Sequence, residues 1–297
     1  MLHKLMPAVS VIIPNYNHGA FLHQRIESVL SQTFQDIEII LLDDHSTDNS
    51  REIIEAYRGN PKMAHIVFND SNSGSPFKQW RKGLELSRGK YVWIAESDDW
   101  AFPDFLKTLY NSITQSPDVG ICFSGSNWID DMGETGKDLS LYHESFCING
   151  RDEVRKSLVK YCSIQNVSAA LINKSIALKH IRRSLPFRSA GDWLLYTNIL
   201  MEANLQFVGK KLNNFRWYHD NTSNKAATSG LSITEGLKVL AVSDAYKIKF
   251  SRNEMDDIFR YWLQKPGQYR FPKNIYYKGL TYISLSFFYI KCLAVKK

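Results

Sequence analysis

Two pairs of adjacent carboxylates, Asp43-Asp44 and Asp98-Asp99, each follow a short apolar run, Ile37 to Leu42 and Tyr91 to Ala95. Neighbouring carboxylates repel one another, and a cation between them and a phosphate ligand keeps both ionised most easily. Mg²⁺ or Mn²⁺ suits that task, because these hard ions take one or two carboxylates, waters and phosphate oxygens rather than a full protein cage. The four cysteines, Cys122, Cys147, Cys162 and Cys292, are too widely spaced for a zinc or redox motif and read as free thiols. Either acidic pair alone would pass for a turn or cap. Two pairs at two strand ends point to a site.

The elements that must hold these groups follow from periodicity. Val9 to Pro14 is β-branched and apolar, as a buried strand requires, and Phe21, Leu22, Ile26, Val29 and Leu30 then recur at helical spacing. The pattern repeats: strands at Ile37 to Leu42, Ile66 to Phe68 and Tyr91 to Ala95, a helix carrying Ile53, Ile54 and Tyr57, and another at Pro76 to Leu86. Such alternation predicts a doubly wound, mostly parallel α/β sheet flanked by helices, with ligands beyond the carboxyl ends of the strands. Further on, the sequence predicts a helix at Leu106 to Ile113, a strand at Val119 to Phe123 and a helix near Asp152 to Lys160. A strand near Ala169 to Ile172, a helix following Asp192 and a hairpin-like stretch from Gln206 to His219 come next. From Ile233 the chain reads as mainly helical.

Four separated motifs resemble family 2 glycosyltransferases: Val9-Ser10-Val11-Ile12-Ile13-Pro14-Asn15-Tyr16-Asn17, Ser31-Gln32-Thr33-Phe34, Asp43-Asp44-His45-Ser46-Thr47-Asp48, and Glu96-Ser97-Asp98-Asp99 with Pro103. That resemblance implies a GT-A fold and inverting transfer from a nucleoside-diphosphate sugar, with a UDP-sugar the expected donor. It places Pro14, Tyr16 and Asp44 around the nucleotide base, Asn17 elsewhere in the donor site, Asp98 at the ribose and metal, and Asp99 as the principal metal ligand. The segment Asn72 to Gly83 is similar to the family's glycine-containing loop, which would bring Gly74 and Arg81 toward the diphosphate, although Lys78, Arg81 and Lys82 also read as a charged helix face.

Inverting transfer needs a base on the acceptor side. Asp192, in Ala190-Gly191-Asp192-Trp193-Leu194, resembles the family's acidic motif, with Gly-Asp where Glu-Asp is usual. An ordinary helix cap is the other reading. Trp193 could stack on an acceptor sugar or fill the core. His219, in Phe215 to Ser223, resembles the family's lid histidine, which can meet the metal or diphosphate, and a structural histidine stays open beside it.

The chain has 297 residues, 44% hydrophobic and 23% charged, with a net charge of +7. These values suit one large soluble α/β enzyme with an anionic ligand, and no motif for nucleic acid accompanies the charge. We expect a catalytic domain over residues 1–230, with a donor half to about 125 and an acceptor half from about 126, and a helical appendage over 231–297. No secretory signal or spanning segment is read, so a cytoplasmic protein is expected. Residues Asn274 to Lys297 interleave aromatic and basic side chains, compatible with peripheral contact at the inner membrane face and a saccharide or lipid-linked acceptor in surface polysaccharide synthesis. A nucleotidyltransferase would want a Gly-rich, basic loop after the first strand, where Asn15-Tyr16-Asn17-His18-Gly19 stands. A non-catalytic binding protein of the same fold is the remaining alternative.

Overall fold

The computed structural model describes residues 6–130, 132–136, 138–218, 222–268 and 274–294. The first strand, β1 (Val9–Asn15), is buried along its whole length. Val9, Val11 and Ile13 enter the core under α1 (Gly19–Leu30), while Ile12 enters the core on the opposite face. A strand covered on both sides has to be apolar throughout, which is why its sequence does not alternate.

Three further units extend this pattern: β2 (Ile37–Asp43) with α2 (Ser50–Ala56), β3 (Met63–Phe68) with α3 (Pro76–Leu86), and β4 (Tyr91–Ile94). These strands lie parallel in the order β3-β2-β1-β4. A short β5 (Trp100–Ala101), α4 (Phe105–Thr114), the long β6 (Val119–Ile129) and β7 (Phe146–Ile148) follow. The helix expected near Asp152 is a short α5 (Gly150–Glu153), capped by Asn149, that runs on as a π turn over Val154–Leu158. Next come β8 (Ala170–Asn173), α6 (Lys174–His180), α7 (Gly191–Leu200) and β9 (Asn204–Arg216).

Beyond β4 the sheet is mixed. β8 lies antiparallel between β4 and β6, β6 and β9 run parallel, and β5 and β7 both pair antiparallel with β9. Of the hairpin expected over Gln206 to His219, the part from Gln206 to Arg216 is therefore one strand. Its pairing with β6 shifts register twice between Val208 and Asn213, so Gly209 and Lys210 bulge outward while the strand continues. A bulge and a turn carry the same local polar signal, and only the long partner β6 separates them.

The helices α8 (Thr222–Ser229), α9 (Leu231–Val242), α10 (Arg252–Gln268) and α11 (Asn274–Ala294) complete the chain. Their buried residues Ile233, Leu237, Ile258, Trp262, Leu285 and Phe288 belong to the same core as Ile12, Trp80 and Leu194. Trp193 of α7 lies parallel to Trp262 of α10 at 6.1 Å and donates its indole N–H to the Leu158 carbonyl, so this ring belongs to the core rather than to an acceptor platform.

Gly83 lets α3 close onto β1: a Cβ there would stand 2.4 Å from Ile12 Cγ2, deep under the sheet. Gly83→Ala is expected to destabilise the fold by about 1–3 kcal/mol despite the better helix propensity of alanine, measured as the chemical-denaturation midpoint at unchanged m-value.

Candidate active site

The β1 and β2 strand ends are knitted together before any ligand arrives. Asn15 Nδ2 donates to Asp43 Oδ1 at 2.8 Å, and Asp43 also accepts from the Ser46 hydroxyl and amide. Asn17, held at φ +56°, accepts from the Thr47 amide at 2.7 Å, and His45 takes φ +65° in the facing loop. Asp43 is thus spent on architecture. Its neighbour Asp44 accepts from Asn69 Nδ2, Gln79 Nε2 and the Ser73 amide and hydroxyl. That carboxylate fixes the loop containing Gly74, whose φ of +72° suits glycine. Pro14 is buried at the end of β1 and Tyr16 is exposed beside it.

The segment after β4 carries the second acidic pair into a tightly organised turn. Glu96 accepts the Trp80 indole N–H at 2.7 Å, and its amide donates to the Ser168 hydroxyl. Asp99, 2% exposed, accepts from Asn166 Nδ2 at 3.1 Å and from the Arg216 amide at 3.0 Å. Asp98 accepts from the Tyr218 hydroxyl at 3.2 Å, and its carbonyl receives the Arg216 guanidinium. The end of β9 therefore closes over the acidic turn. Burial, reinforced by the Asp98 charge, pushes the Glu96 carboxyl up to about 8 and that of Asp99 up to about 6. Behind them Arg25 is fully buried; its Nε donates to the Glu96 carbonyl and its two terminal nitrogens find no hydrogen-bond partner among the described residues. Burial lowers this guanidinium to about 10, against the pull of Asp99, Asp98 and Glu96.

The motif Ser31-Gln32-Thr33-Phe34 holds this turn from below. Gln32, 2% exposed, donates to the Phe102 carbonyl and accepts the Leu106 amide, both at 2.8 Å, and the Thr33 amide donates to Pro103.

Across from the acidic turn stands Asp192, in the first turn of α7 with its carboxylate accepting the Trp193 amide at 2.7 Å. Burial raises its pKa to about 7, with the Glu235 charge adding to the effect. Asp98, Asp99 and Asp192 line one cleft of 150 Å³, together with His18, Trp80, Glu96, Asn166 and Arg188. Two carboxylates after β4 face a third on a separate element, as a reaction with a metal-bound leaving group and a proton acceptor would require.

Among the described residues no three His, Cys, Asp or Glu side chains converge to hold a metal. Asp98 and Asp99 offer hard oxygen donors, and burial with mutual repulsion opposes their charge, so a divalent ion sharing its shell with phosphate and water fits this turn.

Arg81 is not at the cleft: its Nε donates to Glu85 at 2.7 Å along its own helix face. Lys82 likewise donates to Asn69 and Lys78 to the Ser73 carbonyl. His219 lies outside the described residues. Sequence reasoning passed over His18, whose Nδ1 meets the Ser97 hydroxyl at 2.8 Å inside the cleft, and also Arg25, Asn166 and Arg188. Only their position in space marks them.

A family model described as "Glycosyl transferase family 2" matches residues 10–176. Glycosyltransferase GlyG of Streptococcus pneumoniae serotype 4 is 28% identical over 206 residues, 69% of this chain and 58% of GlyG, so the chain spans less than two thirds of that relative. S. aureus TarS 1-349 in complex with UDP-GlcNAc superposes with a TM-score of 0.65 at 16% identity, over 97% of this chain and 91% of that one. Mannosyltransferase PcManGT from Pyrobaculum calidifontis, in complex with GDP-Man and Mn²⁺, gives a TM-score of 0.60 at 13% identity, over 95% of this chain and 75% of that one. At these identities the two structures speak for the fold, which is the expected GT-A arrangement.

Proposed function

This chain belongs to glycosyl transferase family 2, and from that premise we propose that it moves a sugar, with inversion, from a nucleoside-diphosphate sugar to a saccharide or lipid-linked hydroxyl. The observation that carries the reading is the meeting of Asp98, Asp99 and Asp192 in one cleft. An acceptor oxygen attacks the anomeric carbon as the bond from that carbon to the phosphate oxygen breaks, and its proton passes to the Asp192 carboxylate. With its pKa raised to about 7, that carboxylate is a stronger base than a solvated aspartate and is still ionised in good part at neutral pH.

In this reading the nucleotide base lies by Pro14, Tyr16 and Asp44, with Asn17 elsewhere in the donor site, the exposed Tyr16 ring free to stack and the ribose near Asp98. Asp98 and Asp99 would hold Mg²⁺ or Mn²⁺, with His219 as a further candidate ligand, and the ion supplies positive charge to the departing diphosphate. A UDP-sugar donor is supported by the fold shared with TarS, crystallised with UDP-GlcNAc, and Mn²⁺ by PcManGT. Gly74 keeps the loop beside Asp44 open to the diphosphate; the pairing of Arg81 with Glu85 argues against Arg81 as its anchor.

We place the donor half in residues 1–125, the acceptor half in 126–230 and the helical appendage in 231–297. Among the described residues no helix is long and apolar enough to cross a membrane. The exposed Ile283, Phe287 and Ile290 on α11 support peripheral contact at the cytoplasmic membrane face, within surface polysaccharide synthesis. Lys296 and Lys297, part of that basic pattern, lie outside the described residues.

The experiment is a thermal-shift panel of UDP, GDP, CDP and TDP with and without Mn²⁺. One nucleotide with Mn²⁺ is expected to raise Tm by about 5 °C at a hundred times its Kd. No shift with any of the four at millimolar concentration would remove the donor-site reading.

A further inference from the structure

We propose that Glu235, on the first helix of the C-terminal segment, is a positioning residue for transfer: its carboxylate grips the backbone immediately before Asp192 and sets where that side chain stands. The inference rests on the reading of Asp192 as the base. Glu235 is 7% exposed and accepts three consecutive amides at 2.8 Å each, from Arg188 to Oε1 and from Ser189 and Ala190 to Oε2. A buried carboxylate that accepts three amides is firmly held, and it lies at the start of α7, where the helix dipole favours negative charge. Ser184 seals the same segment by donating to the Gly191 carbonyl at 2.7 Å.

The gripped segment is part of the cleft. Arg188 and Ser189 line it with Asp192, so one carboxylate outside the cleft sets the path of three residues inside it. Gly236, next in sequence, fixes the grip from behind: a Cβ there would stand 2.7 Å from Trp262 and 2.9 Å from Trp193, so α9 has no room to withdraw or rotate without disturbing the indole pair. Glu235 touches neither donor nor acceptor. It acts through Asp192.

Its charge acts as well as its shape. Among the described residues, the ionisable groups around Asp192 are Glu235 on α9, Cys162 in the segment before β8, Tyr196 one turn along α7, and His18, Glu96, Asp98, Asp99 and Arg188 around the cleft. Cys162 and Tyr196 are held protonated by burial, and Glu235 is the residue whose charge adds to burial in raising the Asp192 pKa. Removing that charge should let Asp192 ionise at lower pH.

The test compares the full-length protein with Glu235→Ala, Glu235→Gln and Asp192→Asn, all checked by thermal melting. Nucleoside diphosphate release is followed with Mn²⁺ and whichever UDP-, GDP-, CDP- or TDP-sugar the wild type turns over fastest. Both Glu235 variants are expected to lose about 10–100-fold in kcat, with donor KM within about twofold. The acid limb of kcat should move to lower pH by roughly 0.5–1 unit, and a ¹³C-carboxyl titration of Asp192, assigned by its loss in Asp192→Asn, should move with it. If Glu235→Ala does not fold, the isosteric Glu235→Gln, which loses the charge and turns one acceptor into a donor, decides alone. Wild-type kcat in a folded Glu235 variant, an unmoved titration, or a loss confined to KM overturns the inference while an inactive Asp192→Asn leaves the base reading standing. A fully active Asp192→Asn overturns both.

Discussion

Asp192→Asn is expected to bind nucleoside diphosphate with unchanged affinity and to lose transfer by about 10²–10⁴-fold, the usual contribution of a positioned general base. Asparagine keeps the shape and can still accept the Trp193 amide, so α7 should begin as before, but it cannot take a proton. Calorimetric titration with the nucleotide and single-turnover transfer separate the two properties. The pH profile gives an independent check. A base must be deprotonated to act, and burial holds this carboxyl at about 7, so kcat should fall as pH drops through that value and level off above it. A flat profile from pH 5 to 8, or transfer near the wild-type rate in the amide variant, would return Asp192 to the role of a helix cap.

The second large effect is expected at Asp99. Asp99→Ala removes a carboxylate from the acidic turn and leaves the Arg216 amide and Asn166 Nδ2 without their acceptor. Transfer should fall by at least about 100-fold, as expected when charge on a leaving group goes uncompensated. The response to Mn²⁺ should go with it: the metal-dependent part of the nucleotide-induced thermal shift disappears, while the metal-free part, carried by the proposed base pocket around Asp44, persists. Asp98 remains in this variant, so a retained Mn²⁺ response would move the principal ligand role there.

The parallel half of the fold and the placing of its carboxylates were legible because both follow from local rules. A buried parallel strand must be apolar throughout, and Val9–Asn15 is; ligands gather beyond strand ends, and Asp44 and Asp98-Asp99 stand there. The two acidic pairs nevertheless differ in a way the sequence hides. Asp43 points into a loop of Asn15 and Ser46, and only Asp44 is oriented toward the segment after β3. The motif at Gln32 was readable as a signature without its reason, which is a clamp on Phe102 and Leu106 across 70 and 74 positions of sequence.

What could not be read depends on distant partners. The β9 bulge looks like a turn until β6 is laid beside it, and Trp193 reads equally as an acceptor platform or a core residue until Trp262 is placed. Glu235 sits in a stretch that reads simply as helical, and nothing in its neighbours announces three backbone amides 45 to 47 positions away. Arg25 is the same case: a charge on a helix, fully buried because the acidic turn lies behind it.

β9 also dictates an order of events during synthesis. The acidic turn is laid down early, yet its finishing contacts, from Arg216 to Asp99 and from Tyr218 to Asp98, span 117 and 120 positions. Pairings this remote close slowly, after the local strand-helix units have formed. A nascent chain halted ahead of Arg216 would carry the parallel sheet with two poorly neutralised carboxylates at its edge. The acidic turn is therefore completed late, only when the closing strand emerges and docks.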